Sequence, residues 1–203
     1  MWKTIKKIFN KPDNEVSDND ILNKVDLFGK DNSVPEVSLD VLFAEKFNAG
    51  GGHFLYCENK SEAIHSLMQI VNFENITDFI CLDRELQNSL AQIQVNFTEN
   101  ISDLSQEFSF LKCEFMCAYD GSIMISGHQT GGRKITDFPL NFIIWATPNQ
   151  FALNLSDGLQ KLRSLKKDNL PTNITCIRGK EMHSFSSIPN AKNIYLLLVD
   201  DLS

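Results

Sequence analysis

The sequence predicts an α/β fold, because apolar strand-like segments alternate along it with amphipathic helical segments. The strand-like segments His53–Cys57, Asp78–Leu82, Asn141–Thr147 and Ile194–Val199 are apolar at successive positions. Strands buried on both faces have this pattern, which is typical of a parallel sheet covered by helices. The predicted core is therefore a mostly parallel sheet.

Helices are predicted between these strands from apolar residues at helical spacing. Ser38 is placed to cap the first, which ends at Gly50–Gly52, and Ser61 begins the second. The remaining predicted elements are a short helix over residues 83–90, a strand over Ile93–Phe97, a helix from Ser102, a helix after Pro148 carrying Leu153, Leu155, Leu159 and Leu162, and a strand over Asn173–Ile177.

One segment interrupts the alternation of strand and helix. Two strand-like runs, Cys113–Tyr119 and Ser122–Ser126, flank the dipeptide Asp120-Gly121. This dipeptide favours a two-residue type I′ turn, which needs positive φ at both central residues. We therefore expect an antiparallel hairpin that is inserted in the parallel sheet or lies at its edge.

Composition divides the chain into a short N-terminal part, residues 1–36, and a globular domain, residues 37–203. Trp2, Ile5, Ile8 and Phe9 share one helical face, which is either a surface-seeking helix or a docked terminus. Residues 10–36 are polar and lack apolar periodicity, so they are interpreted as a linker.

Charge and cysteine content exclude several classes of protein. The chain has 203 residues, with 19 Lys and Arg against 26 Asp and Glu, and no strong basic stripe. Nucleic acid is therefore not an expected partner, because phosphate contacts need clustered positive charge. No run reaches the ~18 apolar residues of a membrane span, and no signal peptide is recognisable. The five cysteines are odd in number and form no CxxC, so we expect them reduced in a cytoplasmic protein.

The spacing of candidate ligands does not predict a metal site or an iron–sulfur cluster. The four histidines show no HxxxH or HExxH spacing, and the cysteines lack the short spacings of thiolate clusters. No nucleotide-binding glycine motif follows a predicted strand. No intrinsic metal or cluster is therefore expected, and the cofactor stays unknown.

The segment Asp120–Lys134 is the best candidate for a binding site. Its glycines allow close approach of a ligand to the backbone, and the Arg133 guanidinium can bind a carboxylate or phosphate. The candidate ligand-binding residues in this segment are Gly121, Ser122, Ser126, Gln129, Gly132 and Arg133. The alternative is a plain hairpin followed by a surface turn with a solvated Arg133.

Asn149 is a further candidate, since it follows a buried strand at a predicted strand–helix junction. Ligands in open α/β sheets bind beyond the carboxyl ends of the strands, where helix N-termini attract anions. Asn149 is either a ligand-binding residue there or the N-cap of the helix.

Several short motifs follow one another along the chain: Cys113-Glu114-Phe115, Asp120-Gly121-Ser122-Ile123, Ser126-Gly127, Gly132-Arg133-Lys134 and Leu155–Leu159. Taken in this order, they resemble the motifs of the LUD (lactate utilization) domain family, in particular those of proteins of the lactate utilization protein C type. The resemblance covers residues 38–203. It implies a Rossmann-like three-layer fold of the NagB/RpiA/CoA-transferase-like superfamily.

The resemblance also implies a function. It predicts an accessory or ligand-binding subunit of a cytoplasmic system that oxidises L-lactate to pyruvate and binds a small anionic ligand. In such a system the clusters belong to separate iron–sulfur oxidoreductase subunits, which are the expected partners. The sequence leaves a homo-oligomer open.

Two alternatives to this function stay open. The chain could be a transferase or isomerase of the superfamily type, with Asp120 or Glu114 as nucleophile or general base. Against that role, the turn preference of Asp-Gly already accounts for Asp120. The other alternative is a degenerate interaction protein that reaches a partner through residues 1–36.

Overall fold

The computed structural model of the chain describes residues 37–101, 106–167, 169–180 and 191–201. Its helices are α1 Leu39–Ala49, α2 Lys60–Glu74, α3 Arg84–Gln92, α4 Gly127–Thr130 and α5 Leu155–Leu165, with 3₁₀ turns at Ile135–Asp137 and Pro148–Gln150. Its strands are β1 His53–Cys57, β2 Asp78–Ile80, β3 Asn96–Thr98, β4 Phe108–Lys112, β5 Phe115–Cys117, β6 Ser122–Ile125, β7 Asn141–Ala146, β8 Phe151–Ala152, β9 Thr175–Gly179 and β10 Ala191–Val199.

Six strands form a parallel sheet in the order β3-β2-β4-β7-β10-β1. The chain enters at one edge with β1, crosses to β2, and continues to β3 at the opposite edge. It then returns to β4, beside β2, and proceeds through β7 to β10. The connection that leaves β2 and the one that leaves β4 therefore run in opposite directions.

The hairpin belongs to a second, smaller sheet in the order β9-β6-β5-β8. Strands β5 and β6 are antiparallel, as predicted, and β6 also pairs antiparallel with β9. Within the residues that the structure describes, the two sheets are joined at a short stretch, where Ala191 and Lys192 of β10 pair with Arg178 and Gly179 of β9. The hairpin is thus packed over the parallel sheet and covers part of one face.

Three hydrophobic cores separate the layers. Since successive strand residues point to opposite faces, Phe142 and Ile144 of β7 enter the core shared with α1 and the second sheet. Ile143 points the other way, into the core beneath α2 and α3. A third core lies between the second sheet and α5, around Met124 and Leu162. The α/β prediction is confirmed: helices cover both faces of a mostly parallel sheet in a Rossmann-like layered fold.

Several predicted boundaries were wrong at edges and junctions. The predicted strand over Ile93–Phe97 is β3, which begins only at Asn96, and α2 begins at Lys60, one residue before Ser61, with Asn59 as its N-cap. Ser38 precedes α1, but its side chain makes no capping hydrogen bond. The strand predicted over Asn173–Ile177 is shifted to Thr175–Gly179. Strand β4 was not predicted, because Ser109 and Lys112 interrupt its apolar run.

The connection after β7 also differs from the prediction. A 3₁₀ turn and the two-residue strand β8 come first, so α5 begins at Leu155 and excludes Leu153. The N-cap of α5 is Asn154, whose side chain accepts a hydrogen bond from the Asp157 amide. The N-cap role predicted for Asn149 was therefore wrong.

The hairpin turn is longer than the Asp-Gly signal predicts. Cys117 pairs with Ser122, so four residues rather than two connect the strands. Gly121 has a φ of +64°, whereas Asp120 does not have positive φ, and the type I′ prediction was wrong. The predicted elements at residues 1–9 and from Ser102 lie outside the described residues.

Candidate functional site

A cavity of about 210 Å³ lies where the carboxyl ends of β2 and β4 adjoin. The connections that follow these neighbouring strands leave in opposite directions. In open α/β sheets this divergence opens a crevice, and ligands bind in it. The residues that line the cavity are Leu82, Asp83, Leu111, Lys112, His128 and Gln129.

The walls of this switch-point cavity come from both sheets. Leu82, Asp83, Leu111 and Lys112 are at or just beyond the ends of β2 and β4 in the parallel sheet. His128 and Gln129 belong to α4, the single helical turn that follows β6 of the second sheet. The position of α4 across the crevice therefore depends on how the second sheet packs on the first.

Local capping holds both walls. Asp83 caps α3, because its Oδ1 accepts hydrogen bonds from the amides of Glu85 and Leu86. Ser126 and Gln129 form a reciprocal capping box around α4. In that box the Ser126 amide donates to Gln129 Oε1 at 2.8 Å. The side chain of Gln129 is thereby fixed at the rim of the cavity.

Lys112 provides a cation at the end of β4. Its Nζ lies 3.1 Å from Asp83 Oδ2 and 2.5 Å from Glu85 Oε2. Burial would lower the pKa of Lys112, but the hydrogen bonds to Glu85 and Asp83 outweigh it and raise that pKa. An ammonium group has three N–H donors, so one remains for a ligand in the cavity.

A cluster of polar side chains around one buried carboxylate lies next to the cavity and includes His128 and Gln129. Glu114, in the connection between β4 and β5, is only 8% exposed. Its Oε1 accepts a hydrogen bond of 2.6 Å from Ser126 Oγ. Lys166, just beyond α5, places its Nζ 3.0 Å from each of the two Glu114 carboxylate oxygens. The Glu114 cluster, which we define as Glu114, Ser126, His128, Gln129 and Lys166, thus joins three chain segments.

The protonation of Glu114 follows from these contacts. Burial would raise its pKa, but hydrogen bonds from Ser126, Gln129 and Lys166, together with the Lys166 charge, hold that pKa below its ordinary value. Glu114 is consequently a carboxylate at neutral pH and pairs with Lys166.

His128 lies between this cluster and the cavity. Its Nδ1 is 2.9 Å from Lys166 Nζ and 3.7 Å from Glu114 Oε1. An ammonium group can only donate, so the shorter contact requires Nδ1 to be the acceptor. The ring proton then belongs on Nε2, which makes His128 a neutral ring with one N–H.

The structure divides the sequence-predicted site residues into separate groups. Glu114, Ser126 and Gln129 come together beside the cavity, at the open end of the hairpin. Asp120, Gly121 and Ser122 lie at its turn, at the opposite end of strands β5 and β6. Four strand residues at ~3.3 Å each separate the two ends by roughly 13 Å.

At the turn, Asp120 has structural partners. Its carboxylate accepts hydrogen bonds from the backbone amide and the hydroxyl of Ser122. It also forms an ion pair with Arg178 of β9. If Asp120 is a catalytic group, its carboxylate has to react while it is held by Ser122 and Arg178.

Three predicted ligand-binding residues lie elsewhere. Gly132 and Arg133 are exposed after α4, and the backbone carbonyl of Arg133 accepts a hydrogen bond from Thr130 Oγ1. The Gly132 carbonyl accepts one from Asn173 Nδ2. Asn149 is also exposed and lines a different, more open cavity of about 390 Å³ beside α5.

Sequence reasoning missed Lys112, Asp83, His128 and Lys166. Each resembles an ordinary surface residue at an element end, and Lys166 is 52 positions from Glu114 in the chain. The one usable signal was the position of Asp83 and Lys112 at strand ends, which depends on recognising β4.

Two classes of site are not found in the part of the chain that the structure describes. Those residues contain no group of three or more His, Cys, Asp or Glu side chains able to hold a metal ion. Among them, too, no helix has the length and apolar content needed to cross a membrane.

Comparison with known proteins identifies one fold relative. No family model matches the chain, and no curated protein matches it. The crystal structure of a DUF162 family protein from Deinococcus radiodurans superposes with a TM-score of 0.60 and 12% sequence identity. The match covers 80% of this chain and 99% of that one.

The likeness shows a shared fold. The arrangement of strands and helices is common to the two proteins, and the LUD resemblance of the motifs stays a prediction from the sequence.

Proposed function

We propose that this chain binds a small carboxylate anion in the switch-point cavity, as a ligand-binding or accessory subunit of a cytoplasmic lactate-utilization system. In that role the iron–sulfur oxidoreductase chemistry belongs to separate subunits. The resemblance of the motifs to LUD proteins and the shared fold with a DUF162 family protein support the system. The cavity supports the binding of an anion.

The main support for an anion-binding site is the position of Lys112 at the crevice between β2 and β4. Its ammonium is held in place by Asp83 and Glu85 and retains one N–H for a ligand. His128 faces the same cavity from the second sheet. A small anionic ligand can therefore accept hydrogen bonds from both walls.

The size of the cavity limits the ligand. About 210 Å³ is below the ~300–1,000 Å³ of pockets that enclose drug-sized molecules. Leu82 and Leu111 supply the apolar part of the lining. A short carboxylic acid fits this description, whereas a nucleotide or an acyl-CoA would extend beyond the cavity.

Isothermal titration calorimetry tests the proposal with L-lactate, pyruvate, a sugar phosphate and an acyl-CoA. We expect lactate or pyruvate to bind, and Lys112→Met to weaken that binding at least about 10-fold, which corresponds to ~1.4 kcal/mol. Lys167→Met is the matched control, because it removes an exposed lysine that does not line the cavity. It should leave the affinity unchanged.

Arg133→Ala distinguishes the switch-point cavity from the glycine-rich loop. Exposed Arg133 is the alternative anion clamp from the sequence. If Arg133→Ala abolishes binding while Lys112→Met has no effect, the ligand lies on the loop and the cavity proposal is wrong. Absence of heat with both lactate and pyruvate would reject the ligand class.

A further inference from the structure

We infer that Lys166 fixes His128 as a hydrogen-bond donor to the switch-point cavity, so that the site selects 2-oxo and 2-hydroxy acids over 2-amino acids. This inference rests on the proposed function for its ligand. The arrangement of His128 itself can be tested without any ligand. Lys166 is a positioning residue in this scheme, and His128 is the group that touches the ligand.

The first step is the direction of the hydrogen bond between the two side chains. Lys166 Nζ lies 2.9 Å from His128 Nδ1, and an ammonium group has no acceptor. Nδ1 must therefore be unprotonated. The neutral ring then carries its single proton on Nε2, which is not used by Lys166 or Glu114, and the ring lines the cavity.

The second step is that Lys166 cannot turn away easily. Two of its contacts go to Glu114, at 3.0 Å to each carboxylate oxygen, and its third goes to His128. These three contacts match the three donors of the ammonium. Moving Lys166 would leave the buried Glu114 charge unpaired, which is strongly unfavourable.

The third step fixes Glu114 itself. Ser126 Oγ donates to its Oε1 at 2.6 Å, and Ser126 is fully buried. Gln129 Oε1 in turn accepts a hydrogen bond from the Ser126 amide at 2.8 Å. The same capping box that forms α4 thus anchors the carboxylate that orients Lys166.

The consequence is a chemical preference at the ligand. If the ligand carboxylate binds Lys112, the substituent on the adjacent carbon can reach His128 from across the cavity. A carbonyl or hydroxyl oxygen accepts the Nε2 proton. The ammonium of a 2-amino acid is a donor and would oppose both this N–H and the Lys112 charge. The carboxylate of Asp83, which also lines the cavity, is already engaged by the amides of Glu85 and Leu86 and by Lys112.

Nuclear magnetic resonance tests the arrangement in the ligand-free protein. Two-bond ¹H–¹⁵N correlation spectra of labelled histidines report the tautomer, with His128→Gln identifying the signal. We expect the Nε2–H form in the wild type and in Lys166→Arg, which keeps a donor-only cation. Lys166→Met should shift the Nδ1 resonance and introduce the second tautomer. A protonated Nδ1 in the wild type would overturn the inference, whether or not any ligand binds.

Calorimetry tests the selectivity. We expect pyruvate and L-lactate to bind at least about 10-fold more tightly than L-alanine. Lys166→Met should reduce this ratio at least about threefold, since a mobile tautomer can offer Nε2 as an acceptor. Lys167→Met, which removes the neighbouring lysine, should leave the ratio unchanged. An unchanged ratio and tautomer in Lys166→Met would reject the positioning role.

A second variant covers the case in which Lys166→Met does not fold. The double change Glu114→Leu with Lys166→Leu replaces the ion pair by apolar groups, a replacement that buried pairs tolerate. It should show the same mixed tautomers and the same loss of selectivity. Retention of the Nε2–H form and of the full ratio against alanine in this variant would overturn the inference.

Discussion

Glu114 is the residue whose surroundings bear most directly on stability. It is buried, it accepts hydrogen bonds from Ser126 and Lys166, and among the described residues Lys166 is the lysine or arginine that pairs with it. The role of Glu114 as a catalytic nucleophile or general base stays a prediction. Each of these contacts stabilises the carboxylate form and so makes Glu114 a weaker base. Its place in the fold yields a sharper expectation.

We expect Glu114 to contribute stability that depends on pH. Its pKa in the folded protein lies below the ordinary value, so its contribution is complete at neutral pH and is lost as pH falls through the folded-state pKa. The free energy of unfolding, measured in urea, should be lower for Glu114→Gln than for the wild type at pH 7. That difference should shrink steadily below about pH 5.

A matched acidic residue serves as the control. Glu107 lies in the described chain, is exposed, and is remote from the Glu114 cluster. Its change to Gln should alter stability by less than about 0.5 kcal/mol. A pH-independent difference between wild type and Glu114→Gln would contradict the proposed cluster.

At the scale of elements, the hairpin turn and the loop after α4 each contain a glycine with positive φ, and the space around these two glycines differs. Gly121 has a φ of +64° and Gly132 a φ of +77°. A Cβ on Gly121 would lie 2.6 Å from the Phe47 backbone nitrogen and 2.7 Å from the Lys46 carbonyl carbon. A Cβ on Gly132 would meet no atom within 4 Å.

We therefore expect unequal effects of the two alanine variants. Gly132→Ala should cost about 1 kcal/mol, the conformational cost of left-handed backbone. Gly121→Ala adds a clash with α1 and should cost more than about 2 kcal/mol. Thermal and urea unfolding of both variants test this order. Equal effects would indicate that α1 does not pack against the turn as described.

The N-terminus of α5 gives a second comparison at this scale. Asn154 caps α5, and its side chain accepts from the Asp157 amide at 3.0 Å. Asn154→Ala should lower the free energy of unfolding by about 1 kcal/mol. Asn149→Ala should change it by less than about 0.5 kcal/mol, because Asn149 is exposed in the preceding 3₁₀ turn. The reverse order would restore the N-cap role predicted from sequence.

The elements that sequence reasoning found are those with strong local signals. β1, β7 and β10 have continuous apolar runs, and they occupy three adjacent positions in the parallel sheet. β4 was missed because polar residues interrupt it, and β8 because two residues carry no periodicity. Both strands form by pairing with strands that are distant in the sequence, β4 with β2 and β7 and β8 with β5.

Over the whole molecule, the predicted layer arrangement was reachable from sequence, but the second sheet and the cavity were not. The switch point depends on the strand order, and that order depends on β4. The Glu114 cluster likewise joins the connection before β5 to the end of α5. Ser126 and Gln129 were predicted as ligand-binding residues of the segment Asp120–Lys134, and Glu114 as an alternative nucleophile or base, whereas nothing local in the sequence marks Lys166 as their partner.

The solvent exposure of the cysteine thiols can be used to test the packing of the whole domain. All five are free; Cys57, Cys81, Cys113 and Cys117 are buried, and Cys176 is half-buried. The hydrogen bond from Cys117 lowers the pKa of the Cys176 thiol, whereas burial raises the pKa of Cys81 and Cys113 to about 12. Cys176 is therefore the one cysteine of the five that is partly exposed and has a lowered pKa, and both properties favour thiol reactivity.

We expect one fast-reacting thiol in the native protein. With an aromatic disulfide reagent at pH 7.5, one thiol per chain should react rapidly, and Cys176→Ser should remove that phase. The other four should react only as the protein opens, and all five should react in urea. Two or more rapid thiols in the native protein would contradict the described packing of the second sheet.

The switch-point cavity takes one wall from each sheet, and this division has a mechanical consequence. Between the described residues of the two sheets, strand pairing is confined to the short stretch joining β9 and β10. A small molecule that contacts both Lys112 and His128 would restrict the motion of one sheet relative to the other. Binding of this molecule should slow amide hydrogen exchange in β6 and α4 far more than in β7 at the centre of the parallel sheet.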